Sequence, residues 1–134
     1  MKKYEFLLLV FVVFLFACIK KDPKVDLQSS SWEIVKIKKL GDSDFISSSG
    51  AFILNFIDQE TYTLKLDVNS CFANYSQSSQ GNIALESPGC TKICCDSDFA
   101  LDVLSLLPKM DKYYFEGATL LLEGQGQMVL IRKE

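Results

Sequence analysis

Cysteine is the residue type that could carry chemistry in this chain. Four of the five, Cys71, Cys90, Cys94 and Cys95, fall within the stretch from Asn69 to Leu107, and Cys18 stands apart near the N-terminus. The chain has no histidine, which excludes a Cys–His dyad or a Ser–His triad. Four thiols could hold zinc, but the spacing lacks two Cys-x2-Cys knuckles, so no metal is expected. Asp96, Asp98 and Asp102 are the other candidates. They sit at the entrance of a predicted helix, where capping and a solvated face are the expected roles. The EF-hand pattern is absent, so calcium is not expected either. No catalytic residue and no cofactor follows from this inventory, and the chain is expected not to be an enzyme.

What the cysteines do depends on compartment. Lys2 and Lys3 precede an unbroken apolar run, Phe6 to Phe16. That run is too short for a membrane span, which needs roughly 20 apolar residues, and has the form of a signal peptide. Leu15-Phe16-Ala17-Cys18 resembles a bacterial lipobox. The resemblance implies cleavage before Cys18, a diacylated Cys18 sulfur and an acylated new N-terminus. Several acyl chains anchor stably, since each buried CH2 contributes about 0.8 kcal/mol. Residues 1–17 then form the signal peptide, and residues 18–30 the lipidated Cys and a flexible tether containing Pro23. Residues 31–134 form one folded domain. The expected location is the cell envelope, lipid-anchored to a bacterial membrane, with the outer membrane foremost. Lys20 and Lys21 can touch lipid headgroups. The net charge of −3 and the lack of a basic patch argue against nucleic acid.

In an exported chain the even set Cys71, Cys90, Cys94 and Cys95 predicts two disulfides. Three connectivities exist. The one joining the neighbours Cys94 and Cys95 is strained and is set aside. That leaves Cys71–Cys95 with Cys90–Cys94, which is preferred, or Cys71–Cys94 with Cys90–Cys95. A bridge from Cys71 would tie the fourth strand to the helix entrance. Closing a loop of about 25 residues contributes roughly 3 kcal/mol.

Eight strands are expected, at 31–40, 51–57, 61–68, 71–78, 82–86, 112–116, 119–123 and 128–132. The clearest is Thr61 to Val68, where Tyr62, Leu64, Leu66 and Val68 alternate with polar residues. The first is ambiguous: Trp32 and Ile34 share one face, Val35 and Ile37 the other. After the fifth strand a helix is predicted, capped by Asp96 or Ser97, with Phe99, Val103, Leu104 and Leu107 as its apolar stripe and Pro108 as its stop. Sequential strands and one striped helix predict an α+β, mostly β fold: an antiparallel curled sheet or cracked barrel of about eight strands wrapped around one helix.

The central stretch resembles the META/HslJ-like domain family of bacterial envelope proteins. Asn69 and Tyr75 match that family's Asn and Tyr in spacing, with Ala73 where the family has Gly. Thr91-Lys92-Ile93-Cys94-Cys95 matches its Thr-Lys-Met-x-Cys segment. The resemblance covers Ser31 to Arg132. It implies a small β-rich domain with one helix and, by likeness of shape to secretion pilotins, a role in binding an envelope protein partner. It supplies no catalytic residues. The expectation is a non-enzymatic, membrane-anchored lipoprotein with a binding or envelope-maintenance role. The alternative is a lipocalin-like carrier with an apolar pocket inside the curled sheet.

Overall fold

The computed structural model describes residues 26–134. The signal segment, Cys18 and the lysines beside it lie outside the described residues. Eight antiparallel strands follow one another as β6-β5-β4-β3-β1-β10-β9-β8. They are β1 (Ser30–Lys39), β3 (Ile53–Phe56), β4 (Thr61–Lys65), β5 (Ser70–Gln77), β6 (Ile83–Leu85), β8 (Met110–Glu116), β9 (Thr119–Gly124) and β10 (Gly126–Lys133). Two short strands, β2 (Ile46–Ser47) and β7 (Gly89–Cys90), flank β1 and β5. The sheet curls into a nearly closed barrel with its seam between β6 and β8. One bridge, Asn82 to Lys112, and a hydrogen bond from Tyr113 N–H to the Gly81 carbonyl (2.8 Å) draw the seam together at one point.

Alternation explains most of the wall. In β4, Tyr62 and Leu64 point inward between half-buried Thr61 and Thr63. Val68 departs from the expected face. The strand ends at Lys65, the chain turns, and Val68 is exposed. The ambiguity of β1 resolves as a β-bulge. Pairing with β10 shifts register between Ile34 and Lys36, so Trp32 and Ile34 point inward before the bulge and Ile37 after it. An extra residue reverses the side-chain phase, which is why apolar residues occur on both nominal faces of that sequence.

The helix, α1 (Asp98–Leu106), continues into a 3-10 turn, Leu107–Lys109, that contains Pro108. Its buried residues are Phe99, Ala100, Val103 and Leu106, followed by Leu107; the expected Leu104 is only half-buried. The helix packs into one end of the barrel. Phe99 meets Phe52 just before β3, with ring centroids 4.9 Å apart. Asp102 pairs with Lys39 at the end of β1 (3.0 Å). Leu106 lies against the bare Cα of Gly126 at the start of β10.

The opposite end is closed by the first described residues. Leu27, expected in the tether, is fully buried. Its carbonyl accepts from the Ser30 hydroxyl, and Ser30 Oγ accepts from the Trp32 indole N–H (2.7 Å). Gln77 at the end of β5 donates to Asp26 (3.0 Å). The core between the two ends runs continuously from Leu27 to Leu130.

Among the described glycines, Gly124 has the closest backbone neighbours. A Cβ there would collide with the Lys109 carbonyl and the Met110 Cα, both backbone atoms that cannot swing aside. Gly124→Ala should therefore lower stability by about 2–3 kcal/mol. Urea unfolding monitored through Trp32 checks this; an unchanged midpoint would show that the turn and β9 can separate freely.

Candidate functional site

Two of the residues singled out in the sequence, Thr91 and Asp96, meet at Asn69, a polar side chain only 5% exposed. It lies in the turn joining β4 to β5, and the segment before α1 folds down over it. Its amide nitrogen donates to the Ile93 carbonyl (2.7 Å) and to Asp96 Oδ2 (2.6 Å). Its amide oxygen accepts from the Thr91 hydroxyl (2.7 Å) and from Ile93 N–H (2.9 Å). Two donors and two acceptors are the full capacity of an asparagine side chain. Its backbone is used as well: the N–H donates to Asp96 Oδ1 (3.0 Å), and the carbonyl accepts from Leu66 N–H (2.8 Å).

Asp96 is the second half of this arrangement. Its Oδ1 also accepts from Val68 N–H (3.0 Å). Burial works to raise its carboxyl pKa. The hydrogen bonds from the Asn69 amide and from the N–H groups of Asn69 and Val68, with one shared with Asp67, outweigh that and hold it below the usual carboxylate range. Asp67 in turn accepts from Ser97 N–H (2.9 Å). Of the two residues expected to cap the helix, Ser97 does so, through Ala100 N–H (3.3 Å). Asp96 instead fastens the segment before the helix to the β4–β5 turn.

The cysteines correct the preferred connectivity. Cys71 and Cys90 face each other directly across β5 and β7, with Cα atoms 4.0 Å apart, and form a disulfide. Cys94 and Cys95, the pairing set aside as strained, lie with their sulfurs in contact. The physical reason is register: the short β7 lies alongside β5 and presents Cys90 to Cys71, leaving the neighbours to each other. Cys71–Cys90 thus braces two strands. The tie between the β4–β5 turn and the helix entrance, expected from a disulfide, is made by Asn69 and Asp96 without covalent linkage. With Cys71 and Cys90 joined, the four-thiolate zinc alternative loses half its ligands.

The remaining motif residues separate. Thr91 joins Asn69, as described, and also accepts from Ser70 N–H (3.2 Å). Lys92 is exposed beside it. Tyr75 lies elsewhere, buried in β5, stacked edge-on with Phe56 (4.7 Å) and donating its hydroxyl to the Asp58 carbonyl (2.6 Å). Burial, reinforced by Asp26 and Asp58, pushes its pKa up to about 12. Tyr62, expected only as an inward-facing strand residue, has the same habit: buried, it donates to the Glu86 carbonyl (2.6 Å), and burial raises its pKa further. Of the three helix-entrance carboxylates, Asp96 is held by Asn69, Asp102 by Lys39, and Asp98 is exposed in the first helical turn. Cys18 lies outside the described residues.

A small β-rich domain with one helix is the fold expected from the family resemblance; the fastening of the buried Asn69 to the Thr91–Ile93 segment is an addition from the structure. The META domain pattern matches residues 25–134. The chain belongs to the META domain family. Its fold is shared at low sequence identity. An NMR structure of a protein from Burkholderia xenovorans superposes with a TM-score of 0.64 at 14% identity, over 80% of this chain and 83% of that one. A crystal structure of a DUF4847 family protein from Bacteroides vulgatus gives a TM-score of 0.58 at 11% identity, over 77% and 92%. Among curated proteins none matches this META domain chain in sequence.

Two outcomes follow from the Asn69 arrangement. Asn69→Ala removes one side chain but strands Thr91, Asp96 and the Ile93 N–H and carbonyl. The loss should be about 3 kcal/mol or more, read as a shift in the denaturation midpoint. A loss below about 1 kcal/mol would mean that water replaces the amide. The second outcome concerns acid. A carboxyl with a depressed folded pKa stabilises the fold above its unfolded value of about 4, and that stability disappears as pH falls through the folded value. Stability should therefore drop below about pH 4. Asp96→Asn should be less stable at pH 6, because its new NH2 would face the Asn69 NH2, and should lose less between pH 6 and pH 3. Parallel wild-type and variant curves over that range would contradict the assignment.

Proposed function

We propose that this META domain chain is a membrane-anchored, non-enzymatic lipoprotein of the bacterial cell envelope, and that the domain acts by binding. One observation carries the non-enzymatic part. The polar residues with the strongest claim to chemistry are already committed inside the fold. Asn69 has no donor or acceptor left, Asp96 accepts three hydrogen bonds at that same point, and Asp102 is paired with Lys39. Such a set fixes a shape, and its lone pairs and protons are not offered to a substrate.

The anchored part rests on the lipobox-like Leu15-Phe16-Ala17-Cys18. Among the described residues Leu27 is fully buried, and residues 19–26, which separate it from Cys18 in sequence, could reach about 30 Å at most if fully extended. An acylated Cys18 would therefore hold the barrel close to the bilayer, with the outer membrane as the proposed host. The partners of such a protein are the lipid bilayer, through the acyl chains, and an envelope component at the barrel surface. The carrier alternative needs an interior cavity of about 300 Å3 or more. Where that cavity would lie, Trp32, Phe52, Phe56 and Tyr62 are each at most 1% exposed, and close packing of these rings disfavours it.

Metabolic labelling with an alkynyl fatty acid, followed by membrane fractionation, tests the anchor. The wild-type chain should carry label and sediment with the outer-membrane fraction. Cys18→Ala should lose all label and move to the aqueous fraction or remain as uncleaved precursor. Recovery of an unlabelled, soluble wild-type protein would overturn the proposal.

A further inference from the structure

The outer wall of the barrel carries a row of side chains that none of the roles above uses. Asn55 on β3 faces Thr63 on β4, and Thr63 faces Phe72 on β5. Ser31 on β1 extends the row beyond Asn55, and Gly89 on β7 extends it beyond Phe72. The polar members interlock. Ser31 Oγ donates to Asn55 Oδ1 (2.7 Å), and Asn55 Nδ2 donates to Thr63 Oγ1 (3.2 Å). Among the described residues, nothing accepts the second amide proton of Asn55 or the hydroxyl proton of Thr63. At the end of the row Phe72 is 69% exposed, more than any other aromatic residue described. The position opposite it is Gly89, where a Cβ would meet nothing within 4 Å. One flank of the ring is therefore bare backbone.

Asn55, Thr63 and Phe72 line a groove of about 450 Å3, together with Lys65, Ser70 and Thr91. Asn55 also lines a second hollow of about 400 Å3, together with Ser31, Ile57, Arg132, Lys133 and Glu134. From β5 to β1 the row crosses three strand spacings, about 15 Å at ~4.8 Å each.

The chemistry narrows what such a groove can hold. A protein-docking patch places apolar residues together at its centre, yet the outward cross-strand and next-along neighbours of Phe72 are Thr63, Ser70, Asn74 and Gly89. Nucleic acid needs a basic field, which a chain of net charge −3 does not supply. A sugar presents a C–H face that packs flat on an aromatic ring and a rim of hydroxyls that hydrogen-bond to amides and hydroxyls. One exposed ring beside an amide, hydroxyls and a lysine matches both parts, and the length of the row suits several sugar units. We infer that this outer groove binds an oligosaccharide chain, with Phe72 as the stacking platform and Asn55 and Thr63 as its hydrogen-bonding floor. This inference rests on the binding role proposed above and names the ligand class. Its test does not depend on acylation, so the two can fail separately.

The full chain, in phosphocholine detergent, is titrated with the tetramer of N-acetylglucosamine and with maltotetraose, and binding is followed by calorimetry. Saturable binding of at least one is expected. Phe72→Ala should weaken it about ten-fold, a loss of about 1.4 kcal/mol, and Asn55→Ala should weaken it in the same direction. The unfolding midpoint of Phe72→Ala should stay close to wild type, because the ring is exposed. Three outcomes overturn the inference: neither sugar binds saturably, Phe72→Ala binds as wild type does, or an extended tetrapeptide binds in the groove and displaces the sugar.

Discussion

A single buried amide holds together the three segments on which the architecture depends. Asn69 belongs to the β4–β5 turn, Thr91 and Ile93 to the stretch after β7, and Asp96 to the approach to α1. Burying an amide without partners costs roughly 2–7 kcal/mol, so the arrangement is stable only when every partner is in place. That makes it selective: the pre-helix segment has one way to lie. Once Asp96 is fastened, Ser97 is positioned to cap, and α1 starts over the mouth of the barrel. Phe99, Val103 and Leu106 can then reach the ends of the strands below them.

The barrel accommodates that helix through local departures from regular strand geometry. The bulge after Ile34 turns Ile37 inward, near the end of β1 where Lys39 receives Asp102. Glycine at 124 and 126 lets the backbone of β9 and β10 pass beneath Lys109 and Leu106. Gly81 does the same at the seam, where its φ of +83° and the nearby Tyr113 carbonyl leave no room for a side chain. The seam is thereby drawn in at one point although β6 is too short to pair along β8.

The sequence was informative wherever one face of an element is buried. Alternation in Thr61 to Leu66 located β4, and helical spacing located α1, because burial imposes a period of 2 or 3.6. It failed where placement depends on a distant neighbour. The bulge in β1 left a trace, apolar residues in both phases at 34, 35 and 37, but a trace that also fits a strand buried on both sides. The disulfide partners left none. Cys71 meets Cys90 through the two-residue strand β7, too short to carry any pattern, and loop arithmetic could not choose between connectivities. The hydroxyl bonds of Tyr62 and Tyr75 were equally hidden, since a backbone carbonyl is an acceptor whatever the residue. Asn69 and Thr91 were visible through the family motif, yet their contact, and the part of Asp96 in it, needed three-dimensional placement.

Where this domain can meet another molecule follows from which parts of the barrel are occupied. One end is covered by α1 and the 3-10 turn. The other is covered by Leu27, by the Ser30–Trp32 hydrogen bond and by the guanidinium of Arg132 lying 5.8 Å from the centre of the Trp32 ring. The interior is filled by aromatic and aliphatic side chains. Among the described residues, with both mouths covered and the core packed, the outer wall is the surface left open. On that wall the polar row from Ser31 to Thr63 is held rigid by its own hydrogen bonds and by three paired strands, and β5 beneath Phe72 is braced by Cys71–Cys90. Preorganisation of this kind lowers the entropy lost on binding. In the proposed groove, Asn69 and the disulfide would act indirectly, by keeping the β3–β4–β5 wall in register.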